Sequence, residues 1–98
     1  MKFDPQQLQY DYETWCNLME RIQQSTQQLR DAELLWQTLQ NYYHSPQWLE
    51  DHDSDLRLAC SPNHYSILGQ DTLWNSLDER RQLALTLMRL GLTILEDR

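Results

Sequence analysis

A seven-residue repeat of large apolar side chains runs through the first half of this 98-residue chain. No glycine or proline occurs between residues 6 and 43, so no residue there interrupts a helix. A spacing of seven places side chains along one side of an α-helix, which is typical of a helix that packs lengthwise against another. The stripe, as we call this row, consists of Leu8, Trp15, Ile22, Leu29, Trp36 and Tyr43, and the less regular second seam beside it contains Leu18, Ala32 and Leu39, with Asp11 and Ser25 interrupting it.

The local signals place the start of this helix at Asp4 and Pro5. Aspartate is a favoured N-cap and proline suits the first helical position, so we predict one helix over residues 5–43, about 58 Å long. The polar run at 23–28 is the one place where the pattern permits a break. Since a lone helix gains little stability in water, the stripe predicts that another helix covers it, the C-terminal segment supplying part of that cover.

Two further helices follow from capping signals and composition. Ser45 and Pro46 predict a short helix over 46–58, and Asp71 predicts a last helix over 71–96. The chain is rich in leucine and lacks valine, which favours helices over strands. The predicted fold is therefore all-α. It is a single domain, 1–98, forming a long helical hairpin, antiparallel and coiled-coil-like, that a short acidic helix bridges.

The last helix carries apolar residues on several sides, and such a helix is buried on more than one face. In a chain this short the second face needs another subunit, so we predict a homodimer.

The charge balance restricts the class of partner. The net charge is −7 and Lys2 is the only lysine. An acidic surface repels nucleic acids and anionic membranes, so we expect neither as a ligand, and it suits a basic protein. The most apolar window, 83–95, contains Arg89 and is too short to span a bilayer, and the N-terminus lacks the apolar core of a signal peptide. With two cysteines that we interpret as reduced thiols, this predicts a cytoplasmic protein.

The sequence offers little that resembles catalytic or metal-binding chemistry. The carboxylates from residue 51 onward resemble the opening of a calcium loop, but its sixth and twelfth positions hold Leu56 and Pro62 where Gly and Glu are required. The histidines lack zinc-ligand spacing, and no nucleophile elbow or phosphate loop occurs. We therefore predict no metal, no cofactor and no enzymatic activity. A small enzyme or metal protein using His44, Cys60 and His64 remains an alternative.

Two stretches, YYHSPQWLEDHDSD at 42–55 and SILGQDTLWNSL at 66–77, resemble a bacterial family of small proteins, the domain of unknown function numbered 4298. The resemblance implies an all-helical bacterial cytosolic protein and brings no assigned activity. The turn before the last helix departs from the family pattern at Ser66, Gly69 and Gln70. The matching residues are Tyr42, Tyr43, Ser45, Trp48, Leu49, Asp51 and Asp55 in the first stretch, and Ile67, Leu68 and Asp71 in the second.

The concentration of aromatic and acidic residues after the first helix predicts a non-catalytic protein-interaction module. Its most concrete form is an inhibitor or immunity-type protein that binds a basic partner, with Trp48 as the anchor. A self-associating structural coiled-coil dimer is the alternative. The predicted binding residues are Tyr42, Tyr43, Trp48, Glu50, Asp51, Asp53 and Asp55.

Overall fold

The computed structural model describes residues 2–97 and contains three α-helices. Helix α1 spans Pro5–Tyr43, α2 spans Pro46–Asp53 and α3 spans Thr72–Glu96, and this part of the chain contains no strand. The all-α class is confirmed. So is the order of a long helix, a short acidic connecting helix and a second long helix.

Helix α1 begins where its capping signals predicted. One carboxylate oxygen of Asp4 accepts the backbone N–H groups of Gln6 and Gln7, at 3.1 and 3.5 Å, which satisfies two donors that the first turn leaves free. The polar run at 23–28 does not break the helix. There the hydroxyls of Ser25 and Thr26 bond to carbonyls one turn earlier, so these side chains stay within the helix.

Helix α2 is shorter than predicted, ending at Asp53 rather than at 58. Ser54 takes an extended conformation, and its backbone N–H and its hydroxyl both bond to the Asp51 carbonyl, at 3.3 and 2.7 Å. The carboxylates near this end also disfavour extension, since negative charge is unfavourable at a helix C-terminus. Leu56 and Leu58 consequently lie in an exposed loop and add no apolar side to α2.

Helix α3 begins one residue after the predicted start. Asp71 occupies the N-cap position, but its side chain caps nothing, and its carbonyl accepts the Asn75 N–H at 2.8 Å. Two turns precede it. One places Asn63 in the left-handed region at φ 66°, and the other closes with the Gly69 N–H on the Ser66 carbonyl.

The chain divides into two compact units, Met1–Asn41 and Tyr42–Arg98. Among residues 2–97, the buried ones are Trp36 in the first unit and Leu73 in the second. In the single chain the earlier part of the stripe is open, with Trp15 and Ile22 each 56% exposed. The expectation that the stripe is hidden is thus met at Trp36 and wrong for Trp15 and Ile22. Much of the apolar surface of α3 is exposed as well, including Met88 and Leu95.

Candidate protein-binding site

Trp48 is the centre of the contacts between α2 and the residues around it. Its ring meets Tyr43 edge to face, with centroids 4.9 Å apart, and stacks on His52 at the same distance and an interplanar angle of 11°. Its indole N–H donates to the Ile67 carbonyl at 2.9 Å. Because these contacts engage both the aromatic surface and the only polar atom of the indole, the half-buried Trp48 holds α2 against Tyr43 and the segment before α3.

His52 completes the attachment of α2 to the segment before α3. It follows Trp48 by four residues, which places the two rings on the same side of the helix. Its Nδ1 lies 2.5 Å from the Leu68 carbonyl, so this nitrogen carries the proton and donates it. Side chains of one α2 face therefore bind two successive carbonyls, those of Ile67 and Leu68. We call Tyr42, Tyr43, Trp48 and His52 together the aromatic corner.

Tyr42 and Asp51 connect the end of α1 to α2. The tyrosine hydroxyl donates to Asp51 Oδ2 at 2.6 Å, and the same oxygen accepts the Gln47 amide at 3.3 Å. The hydrogen bond to the carboxylate is the main reason that the pKa of Tyr42 is raised to about 12, because losing the proton would place two negative charges in contact. Asp51 is thus engaged within the chain.

The backbone between α1 and α2 is closed by Ser45. This residue occupies the N-cap position of α2, as the sequence predicted, but its hydroxyl does not cap that helix. It donates instead to the Tyr42 carbonyl at 2.6 Å, and the Ser45 N–H bonds to the same oxygen at 3.0 Å. Ser45 therefore terminates α1, while Pro46 starts α2.

Glu50, Asp53 and Asp55 differ from Asp51. All three are exposed, and within residues 2–97 their side chains make no hydrogen bond or ion pair. Glu50 and Asp53 are three residues apart on α2 and so lie on neighbouring positions of its outer surface, beside the 56% exposed Leu49. These three carboxylates are free to meet a cationic group on another molecule.

The seven predicted binding residues therefore fall into two groups. Tyr42, Tyr43, Trp48 and Asp51 are half-buried and joined to one another or to their neighbours, whereas Glu50, Asp53 and Asp55 face solvent. Sequence reasoning missed His52, although its four-residue spacing from Trp48 was a usable signal. The carbonyls of Ile67 and Leu68 had no such signal, because they are 16 or more residues away from their donors along the chain.

The residues of the alternative metal or enzyme site contact residues that are close to them in the sequence. Cys60 Sγ lies 3.6 Å from the Leu58 carbonyl, and His64 Nδ1 lies 3.0 Å from the Pro62 carbonyl. The His44 ring lies tilted against that of Tyr43, with the centroids 5.6 Å apart. Within residues 2–97 no three His, Cys, Asp or Glu side chains are grouped in a way that fits a metal ion. No observation here favours that alternative.

A comparison with family models matches residues 6–90 to the model described as Domain of unknown function (DUF4298). The match covers all but the first residue of α1, the whole of α2 and most of α3. No significant similarity to a curated protein or to a solved structure was found. Within the described residues, no helix combines the length and hydrophobicity needed to cross a bilayer.

Proposed function

Because the chain belongs to the DUF4298 family, whose description carries no activity, we propose a function from its own residues: it is a non-catalytic module that binds a basic protein through α2. The aromatic corner holds α2 in place, and Glu50, Asp53 and Asp55 supply the charge that a cationic partner meets. In its most specific form the proposal is an inhibitor or immunity-type protein acting in the bacterial cytoplasm.

The observation that supports this proposal most is the contrast between Asp51 and the three carboxylates around it. The Asp51 carboxylate accepts hydrogen bonds from Tyr42 and Gln47 and so stabilises the fold, whereas Glu50, Asp53 and Asp55 contribute nothing to the described contacts of the fold. Like charges close together on a short helix repel one another, by a few tenths of a kcal/mol per pair. Cationic groups of a basic partner would attract these carboxylates and offset their mutual repulsion.

A preformed α2 also fits a binding role. The two side-chain bonds to the Ile67 and Leu68 carbonyls fix the helix before any partner arrives, so binding orders less of the chain. Exposed charges of this kind mainly accelerate association, each pair adding about 0.2–1 kcal/mol, while the exposed parts of Trp48, Tyr42 and Tyr43 add apolar contact area. Affinity should therefore depend on ionic strength.

The test compares two triple variants of equal net charge. The site variant carries Glu50→Lys, Asp53→Lys and Asp55→Lys. The control carries Glu20→Lys, Asp78→Lys and Glu96→Lys, which are exposed carboxylates on α1 and α3. Asp51 is left unchanged because it holds Tyr42. Each triple change moves the formal charge from −7 to −1, so a general loss of acidity affects both equally.

Affinity purification from the cells that make the protein identifies a basic protein bound to the wild type, and titration calorimetry with that purified protein then compares the variants. We expect the site variant to lose binding at least tenfold more than the control, with unchanged circular dichroism. Equal binding by both variants, or an equal loss in both, rules out α2 as the contact surface.

A further inference from the structure

The N-terminal part of the stripe lacks cover from its own unit. That unit, Met1–Asn41, holds α1 as far as residue 41, and its described residues form no second helix. The stripe there is open: Leu8 is 48%, Trp15 56%, Ile22 56% and Leu29 36% exposed. Helix α1 has 39 residues and α3 has 25, so α1 is about 21 Å longer than the other long helix of the chain. A helix with this pattern needs a partner helix.

The positions that flank the stripe suit a second copy of α1. A helical partner of different sequence is usually selected by charges beside the apolar seam. Between Leu8 and Leu29 the flanking side chains bear one charge, that of Arg21, so they neither select an oppositely charged helix nor repel an identical one. The flanking residues are Gln7, Tyr12, Thr14, Met19, Arg21, Thr26 and Gln28.

The two seams also indicate the direction of the second helix. Large residues fill the stripe, while the second seam combines leucines with smaller or polar residues, among them Asp11, Ser25 and Ala32. In a parallel pair each residue faces its own copy, which sets Trp15 against Trp15 and Asp11 against Asp11. In an antiparallel pair the stripe of one helix faces the second seam of the other, so each tryptophan meets a smaller residue and the two Asp11 carboxylates lie far apart.

We propose that the stripe between Leu8 and Leu29 is the contact surface of an antiparallel homodimer in which α1 pairs with α1 of a second copy. The interface is isologous, the same surface serving both partners. It uses a part of the chain that includes no residue of α2, so this inference does not depend on the proposed binding of a basic protein.

The first test measures mass by sedimentation equilibrium over a wide range of concentration. The wild type should reach twice the chain mass. Ile22→Glu introduces a charge into the stripe and should raise the dimer dissociation constant at least tenfold. Leu34→Glu makes the same chemical change at a 71% exposed leucine that faces away from the stripe, and it should dimerise like the wild type. Circular dichroism checks that both variants keep their helices.

A monomeric wild type overturns the proposal, and so does an oligomer that Ile22→Glu leaves intact. The wild-type mass answers the first point even if the variant does not fold.

The second test measures the direction of pairing by electron spin resonance. Cys16 and Cys60 are replaced by serine and Gln7→Cys carries a spin label, which places one label near the start of each α1. Antiparallel pairing separates the labels by about 40 Å, while parallel pairing brings them near the interhelical spacing of about 10 Å and broadens the spectrum strongly. Strong broadening overturns the antiparallel assignment.

Discussion

The two ends of α1 have very different surroundings. At its C-terminal end the aromatic corner joins Tyr42, Tyr43, Trp48 and His52 through ring contacts and hydrogen bonds to the chain itself. Near its N-terminal end, Trp15 and Ile22 are each 56% exposed, and the Trp15 ring stacks on Tyr12 of the same helix. The difference shows that a regular apolar pattern can mark a helix surface that is still exposed in the single chain. An irregular aromatic cluster, by contrast, can be the part whose contacts are made within the chain.

The largest effect should come from removing the centre of the corner. Trp48→Ala deletes two ring contacts and leaves the Ile67 carbonyl without its donor, so we expect it to lower the free energy of unfolding by about 3 kcal/mol. Trp15→Ala, in a sample dilute enough to be monomeric, should change it by less than about 1 kcal/mol, since that ring is mostly exposed. Urea denaturation measures both. Similar losses in the two variants would remove the distinction between the two ends.

The two glycines give a second comparison, between a crowded position and an open one. A Cβ on Gly69 would lie 2.8 Å from Thr72 Oγ1 and 3.1 Å from the Ser66 carbonyl, whereas one on Gly91 meets nothing within 4 Å. Gly69→Ala should therefore destabilise the chain by about 1–2 kcal/mol. Gly91→Ala should stabilise α3 by about 0.5–1 kcal/mol, because alanine is the better helix former.

Thermal unfolding of the two alanine variants gives the sign of each change. A destabilised Gly91→Ala would show that another helix approaches α3 closely at that point, and a neutral Gly69→Ala would show that the turn before α3 has room to adjust.

A smaller, pH-dependent effect should come from Tyr42. Its pKa is raised to about 12 in the folded chain, so the folded state holds this proton more tightly than the unfolded state does. The stability contributed by its bond to Asp51 is therefore fully present below pH 10 and is lost as the pH rises from about 10 to 12. Tyr42→Phe should remove the last step in the ultraviolet titration of tyrosinate and reduce the alkaline loss of stability. An unchanged titration would contradict the assignment.

The secondary structure of this chain was largely predictable, because its signals are local. Asp4 and Pro5 mark the start of α1, and the absence of glycine or proline up to 43 predicts its length. The predicted end of α2 was wrong. Ser54 ends the helix by bonding to the Asp51 carbonyl, but in the sequence it does not differ from the polar residues around it. Local signals thus predicted the helix starts better than the end of α2.

The contacts of the candidate site were only partly predictable. The sequence placed Tyr42, Tyr43 and Trp48 near one another, since they adjoin the same corner. It did not indicate that the Asp51 carboxylate accepts a hydrogen bond from Tyr42. Nor did it indicate that Trp48 and His52 bind the carbonyls before α3. Every residue has a backbone carbonyl, so the residue pattern cannot show which carbonyl a side chain will bind. The loop that brings residues 67 and 68 back to α2 closes through tertiary contacts, which sequence periodicity does not predict.

Hydrogen exchange at residue resolution, measured at low and at high protein concentration, tests the central distinction most directly. Amides of α2 are held by contacts within the chain, so their protection should be the same at both concentrations. Amides between Leu8 and Leu29 lie along the exposed part of the stripe and should become better protected as the dimer forms. If the α1 amides show no dependence on concentration, or if α2 gains protection in parallel with them, the account is contradicted.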